Sequence, residues 1–492
     1  MSARARDGRP PKLVLAVIDG LRSPVLEQVV SDGQAPHLAA VMERGHYVDD
    51  CAAAFPSVTP VCTASIATGA GPDEHRIPGM NWFHAAEGRY VEYGSSFQAS
   101  RAFGIHTSLT DTIYNLNLAH LNRATKTVFE HLDDADVRTA GTTFLITRGR
   151  HRHTPTGESA LARLAGATIF RHALWGPREL FYADMFATRR TGCRSQLGLP
   201  GARDAHAGCV GAHMVENDLF EFLLLSLPDN DTHSHRLGPD AQGESAIEAD
   251  RQIGRLMEAG GGIDAFLERH AMVVLADHAH SLVEERINLL HRFAGHGVLH
   301  PDDPEPERAR LALSPGQRFA MVYGLEERED AIGATMEALE GVDGIDLTMW
   351  LQDGTAVVRS PRGELRFAPG GRAADARGER WTLDGQLGAL EGRASGGVFA
   401  SDAYPDALAR AWSALTCPTA GDVLVSAAPG FEFVDWGGTD HVGGGSHGSL
   451  HRGDSVAPLM WCGCGPEGRD ARAQWTLRDV LPMVLDHFGV TA

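Results

Sequence analysis

An α/β fold, built on a mainly parallel sheet with helices on both faces, is what this 492-residue chain predicts. Three observations carry that expectation. Continuous apolar runs of strand length alternate with helix-like segments. Several of those runs end in Asp or Asp-His. The 43% hydrophobic and 22% charged content is that of a globular protein with a large core.

Residues 13–18 (LVLAVI) read as a buried strand that stops at Asp19-Gly20, and 36–45 as a helix closed by Gly45. A helical stretch at 127–132 leads to a strand at 138–146. Residues 220–227 form a third strand, which runs through Pro228 into Asp229-Asn230-Asp231. An amphipathic helix pair at 246–267, interrupted at 260–262, hands over to a fourth strand, 271–276, ending at Asp277-His278. From about 298 the texture changes. Residues 301–315 are charged and Pro-rich and read as a linker. Beyond them, 319–324 and 347–359 read as short strands around a helix at 329–339, and 370–380 as an exposed loop. The expected organisation is a main domain, 10–299 and 421–492, carrying an inserted α+β subdomain, 300–420.

Charge narrows the partners. A net charge of −20 repels nucleic-acid polymers, and the most basic cluster, 148–153 (RGRHRH), is short and reads as a solvated loop rather than a binding site. Lysine is confined to Lys12 and Lys126, with arginine in its place elsewhere. The seven cysteines are odd in number and mostly scattered. Cys462 and Cys464 lack a second pair to complete a zinc knuckle, so mostly buried, reduced thiols are expected. The basic segment 1–11 precedes an apolar run too short for a signal core, and no stretch approaches the roughly 18 apolar residues of a membrane span. A cytoplasmic protein without a membrane partner is the expectation; nothing in the pattern sets an oligomeric state.

The chemistry-bearing residues sit where open α/β sheets gather functional groups, at strand ends. Asp19 follows the first strand; alone, an Asp-Gly there is a turn. Asp231 and His235 are four residues apart and share an ion if the segment turns helically. Asp277 and His278 end another strand, where adjacent side chains point apart and suit two neighbouring ions or one. His447 lies in a glycine-rich loop after Gly443, Gly444 and Gly445. Mixed Asp/His ligation suits zinc, an all-oxygen set magnesium or calcium. Each element has a structural reading of its own, and with 24 histidines most are not ligands; the ordered set is the signal. Thr59, in Phe55-Pro56-Ser57-Val58-Thr59-Pro60, opens a helix-like stretch. A hydroxyl there meets a helix N-terminus able to cradle phosphate, or simply caps it.

These motifs together resemble the alkaline phosphatase superfamily, and within it the type I phosphodiesterase/nucleotide pyrophosphatase family. The Phe-Pro-led threonine segment runs to Thr68-Gly69 and then Pro72-Asp73-Glu74-His75. Asp231, His235, Gly238 and Pro239 match the family's Asp-x-x-x-His-x-x-Gly-Pro, Ala276-Asp277-His278 its Asp-His strand end, and 445–448 its Gly-x-His-Gly. The resemblance implies a three-layer αβα sandwich, with 10–299 and 421–492 as catalytic domain. It implies two zinc ions, or manganese or another divalent metal in their place: one on Asp19, Thr59, Asp277 and His278, the other on Asp231, His235 and His447. Thr59 would attack the phosphorus of a small phosphate ester and pass through a phosphothreonine.

The chain departs from the family pattern three residues past the nucleophile, where many relatives have a phosphate-binding asparagine and this one has Cys62. Asn81 is a substitute donor, as are backbone N–H groups after Thr59, except at Pro60. A phosphomonoesterase shares the bimetallic core and is the nearest rival. A sulfatase would need Cys-x-Pro-x-Arg, which the nucleophile segment lacks, and a phosphoglycerate mutase would ordinarily offer serine and manganese. A non-catalytic metal-stabilised binding protein would show lost ligand positions, and all seven are filled. The segment 85–215 is expected to shape the pocket, with His106, Asn115, Asn117 and Trp175 as candidate contacts; Trp82, Phe83 and Phe97 are candidates for an aromatic wall.

Overall fold

A computed structural model describes residues 10–156, 171–303 and 305–491. Its largest α/β layer is an eight-stranded sheet. In chain order the strands are β1 (Lys12–Ile18), β2 (His46–Ala52), β3 (Thr139–Thr142), β4 (Glu179–Tyr182), β5 (Phe186–Ala187), β6 (Phe222–Leu227), β7 (His270–Leu275) and β8 (Val456–Cys462). Across the sheet they run β2-β8-β7-β1-β6-β3-β4-β5. The interior pairings β7·β1, β1·β6, β6·β3 and β3·β4 are parallel, and the edges close with antiparallel partners. Strands β6 and β7 are buried at every position, which is why their sequences, Ser226 and His270 apart, are continuous apolar runs rather than alternating ones.

One face packs on helices Ser23–Ser31, Pro36–Arg44, Arg203–Glu216 and Gly243–Ala259 through Leu26, Leu38, Val210 and Ile253. The opposite face packs on Thr59–Thr68, Val128–Asp134 and Val480–Phe488 through Val61, Phe129 and Val484. The helix at 127–132 begins as its sequence foretold: Thr127 accepts from Glu130 N while Glu130 accepts from Thr127 N, a reciprocal capping box. The strand expected over 138–146 is shorter. After Thr142 the chain turns through Thr143 at φ +62° and enters the site.

A second, nine-stranded sheet carries Leu311–Gly316, Phe319–Gly324, Val423–Ala427, Ile345–Gln352, Thr355–Ser360 and Gly363–Ala374 in pairing order. It therefore extends past position 420 to Ala427. Two sequence expectations are corrected by it. Part of the linker at 301–315 is a fully buried strand, because Leu311, Ala312 and Leu313 face core on both sides of the sheet. Most of the loop at 370–380 is strand, with Ala373 and Ala374 paired to Trp381 and Arg380. The cysteines mostly follow expectation: Cys51, Cys62, Cys417, Cys462 and Cys464 are free, the first four buried, whereas Cys193 and Cys209, sixteen residues apart, form a disulfide. The basic cluster is only partly a solvated loop: Arg150 and Arg152 are exposed, but His151–His153 is strand. Arg148 is buried, pairing with Glu130 and donating to the carbonyls of Leu121 and Asn122.

The second sheet is locked to the first layer by Arg318, wholly buried with Asp454. Its guanidinium also donates to the carbonyls of Phe431 and Ala428 at 3.1 and 2.9 Å. Asp454 in turn accepts from Ser281 Oγ and Ser449 N. Asp454→Ala strands the guanidinium in the core, with an expected cost of about 3–5 kcal/mol of unfolding free energy in a denaturant titration. A loss within 1 kcal/mol of zero, on the order of a surface change, would contradict this account of the junction. No helix among the described residues is long and apolar enough to cross a membrane.

Candidate active site

Three neighbouring parallel strands, β7, β1 and β6, deliver the polar residues to one edge. Asp19 follows β1 directly, and Asp277-His278 follow β7. Pro228, just past β6, caps helix Asp229–Leu237, whose turn places His235 Nε2 3.3 Å from Asp231 Oδ1. Asn230 on that helix donates to the Asp19 carbonyl at 2.8 Å, tying two of the strand ends together.

Two groups of donors result. Asp19, Asp277 and His278 form one, with His278 Nε2 3.4 Å from Asp19 Oδ1 and 3.6 Å from Asp277 Oδ2. Asp231, His235, His280 and His447 form the other, with His447 Nε2 3.4 Å from Asp231 Oδ1 and 3.2 Å from His235 Nε2. Thr59, the first residue of helix Thr59–Thr68, holds its hydroxyl 3.3 Å from His278 Nε2. The structure thus brings together all seven residues of the expected ligand set.

The histidines are oriented for ligation. His278, His235 and His447 each place Nδ1 against a backbone carbonyl, those of Ala279, Gly445 and Ser57, at 3.2, 2.8 and 2.7 Å. A ring that donates from Nδ1 leaves the Nε2 lone pair facing inward. Burial, reinforced by His447, holds His278 well below the usual imidazole range and therefore neutral. Burial and then the Asp277 and Asp231 carboxylates push Asp19 well up, and burial takes Asp277 to about 6. Burial also opposes ionisation of Asp231, yet His235, His280 and His447 hold its carboxyl well below the usual range. Asp19 Oδ1 and Asp277 Oδ2 are buried without a hydrogen-bond partner. Crowded carboxylates and converging imidazole lone pairs fit a divalent cation, which neutralises the first and binds the second.

Asp19, Thr59, Asp231 and Asp277 form the floor of a cavity of about 350 Å³. Met80, Tyr93, Leu109, Ile113, Tyr182 and Met185 give it an apolar wall. The polar lining includes Thr63, Thr112, Thr143, Ser195 and Arg203. Among the described residues Arg203 is the one Lys or Arg in the lining, and its guanidinium is already committed to Asp229, the Pro228 carbonyl and Thr232.

Several expected contacts lie elsewhere. Cys62 is buried in the apolar core behind the helix, and Thr63, one turn on from Thr59, takes the cavity-facing place. Asn81 points away, donating to the Pro315 carbonyl at 3.0 Å. The backbone cradle fails too, because Val61 N and Cys62 N both donate to Val58 O. Asn117 is spent on the backbone of Leu145, Thr147 and Arg148, and Asn115 on Asp111. His106 and Trp175 are exposed. Trp82 and Phe83 are core, and Phe97 is 69% exposed; Tyr93 and Tyr182 supply the aromatic wall instead.

Sequence reasoning missed His280 and Gln317. His280 Nε2 is 2.9 Å from Asp231 Oδ1, in room that Gly20 leaves: a Cβ there would sit 2.6 Å from that nitrogen. Its signal was present, two residues beyond His278 in a chain where alternate side chains share a face. Gln317 carries no such signal. It reaches in from the tip of the hairpin that opens the second sheet, at φ +58°, with Nε2 3.1 Å from His447 Nε2.

A parallel sheet whose strand ends gather two Asp/His donor groups beside a helix-borne hydroxyl defines the metal-dependent hydrolases of the alkaline phosphatase superfamily. The chain belongs to the type I phosphodiesterase / nucleotide pyrophosphatase family, whose model matches residues 13–450, and is a hydrolase of phosphoester bonds. No curated protein matches it in sequence. Solved structures do in fold. Murine ectonucleotide pyrophosphatase / phosphodiesterase 5 aligns over 98% of this chain and 96% of its own, with TM-score 0.58 and 13% identity. An inactive Thr-to-Ala variant of that murine protein, bound to AMP, gives 0.59 and 11% over the same shares. Phosphonoacetate hydrolase from Sinorhizobium meliloti 1021, in complex with phosphonoformate, gives 0.55 and 17% over 99% of each chain.

Proposed function

We propose that the protein hydrolyses phosphodiester or phosphoanhydride bonds in small molecules, with Thr59 as nucleophile beside a two-metal, zinc-type centre. The observation that carries this is the placement of the Thr59 hydroxyl at the His278 side of the donor cluster, on the cavity floor. Bound there, divalent ions would supply Lewis-acid activation of the hydroxyl and neutralisation of phosphoryl charge.

The chain's own residues do the rest. The helix N-terminus sets Oγ1 of Thr59 at the floor, and Thr63, donating to the Thr59 carbonyl at 2.6 Å, holds that first turn. The bond from Thr59 Oγ1 to phosphorus forms as the bond to the leaving oxygen breaks. The threonine proton passes to solvent, and the leaving oxygen takes one from it. Water then cleaves the phosphothreonine, releasing a phosphomonoester and restoring the hydroxyl.

The cavity favours a diester over a monoester. A dianionic monoester needs free cationic donors. Arg203 is already paired, and Lys12 and Lys126 sit in surface pairs with Asp218 and Asp134. The apolar wall suits an aryl or base substituent on the second ester oxygen. The test compares kcat/KM for bis-p-nitrophenyl phosphate and p-nitrophenyl phosphate on zinc-loaded protein. The expected ratio favours the diester by about tenfold or more, corresponding to roughly 1.4 kcal/mol of transition-state binding. A ratio favouring the monoester would move the chain to the phosphatase reading.

A further inference from the structure

The resemblance gives the Asp231 metal position three protein donors; the structure places a fourth side chain on it. We propose that His280 is a metal ligand, so that Asp231, His235, His280 and His447 hold one ion with four protein donors. The inference rests on the reading of this edge as a metal centre.

The geometry is specific. The four donor atoms all lie within 4.8 Å of one another. His280 Nε2 is 2.9 Å from Asp231 Oδ1, and the ring is 4.9 Å from that of His447 and 4.8 Å from that of His235. His280 is 1% exposed, so it is held among these groups rather than offered to solvent.

Its tautomer is the deciding point. His235 and His447 of this cluster, and His278 beside it, have carbonyl partners at Nδ1, but His280 Nδ1 is buried and unpartnered. Ser234 Oγ is also buried and unpartnered. Both flank one spot: a Cβ on Gly445 would sit 2.9 Å from Ser234 Oγ and 3.0 Å from His280 Nδ1. Because Gly445 has no Cβ, both groups pack against its backbone, which places Ser234 Oγ as the neighbouring acceptor for an Nδ1 proton. A proton held on Nδ1 by Ser234 frees Nε2 to bind the ion, as a carbonyl does for the other three rings.

The consequence is an asymmetric centre. Three imidazoles and one carboxylate select zinc, cobalt or nickel over magnesium and calcium. The Asp19, Asp277, His278 and Thr59 position is richer in oxygen and less selective. The Asp231 ion is therefore the one retained on chelation, and the other exchanges.

Zinc content and affinity, measured by competition with a chromogenic chelator, test this in wild type, His280→Gln and Ser234→Ala. Glutamine can still donate a hydrogen bond to Asp231 but is a poor zinc ligand, and Ser234→Ala is too small a change to unfold the helix. The expected result is about two zinc ions in wild type, with the tighter one weakened about 10–100-fold in Ser234→Ala and at least as much in His280→Gln. The visible spectrum of the cobalt-substituted protein should shift in His280→Gln. Wild-type affinity for the tighter ion in both variants would overturn the assignment while leaving the metal centre standing. A wild type that takes up no zinc would overturn both.

Discussion

Thr59→Ala is expected to abolish diester turnover, lowering kcat on the order of 10⁴-fold or more, because among the described residues no other hydroxyl lining the cavity is placed against His278 as Oγ1 is. Thr63 is the nearest alternative on the same helix face, but its hydroxyl is committed to the Thr59 carbonyl. The loss should fall on kcat, with circular dichroism and melting temperature unchanged, since Thr59 carries no core packing. Thr59→Ser keeps the attacking oxygen and should retain measurable turnover. Residual activity in Thr59→Ala within tenfold of wild type would show that water attacks directly and that the threonine only caps its helix.

Asp277→Asn carries the second large effect, and its sign differs between activity and stability. With metal supplied, the variant should lose one ion and at least about 10²-fold in kcat. In chelator-treated protein it should be the more stable form at neutral pH. Burial raises the Asp277 carboxyl to about 6 from an ordinary 3.8, so the folded state disfavours its charged form. The stability this group contributes is complete below about 4 and is lost as pH rises through about 6. Asparagine has no such loss. The melting temperature of metal-free Asp277→Asn should therefore exceed that of metal-free wild type at pH 8, with the gap closing toward pH 4. Bound metal reverses the trend in wild type, because the ligands must deprotonate to bind. A metal-free variant less stable than wild type at pH 8 would mean that the Gly20 N–H bond to Asp277 outweighs the burial of charge.

The parts of the site legible in the sequence are those where one short segment carries both the chemistry and the geometry. Asp231 and His235 follow from helical spacing, and Asp19 and Asp277-His278 from the ends of buried strands. Strands β1, β6 and β7 were legible for a related reason: a strand buried on both faces is apolar nearly throughout. What misled was polarity read without its neighbours. The linker at 301–315 looked solvated because of its charged first half, yet Leu311–Gly316 is core. Arg148 looked like surface charge, yet carbonyls at a chain turn and Glu130 satisfy it inside.

Local pattern alone thus points to the fold class and to the candidate donors, because hydrophobic period and strand-end placement depend on neighbours a few residues away. Which other side chains meet those ligands depends on packing between segments far apart in the chain. Arg318, Gln317 and His447 converge because a hairpin of the second sheet docks on the Gly-rich loop, with Arg318 N donating to the His447 carbonyl at 3.0 Å. Asn81 turns to Pro315 and Cys62 to the core for the same reason, since each is claimed by an element more than two hundred residues away or by the sheet behind it. Long-range burial assigns such partners, and no spacing rule in the sequence encodes it.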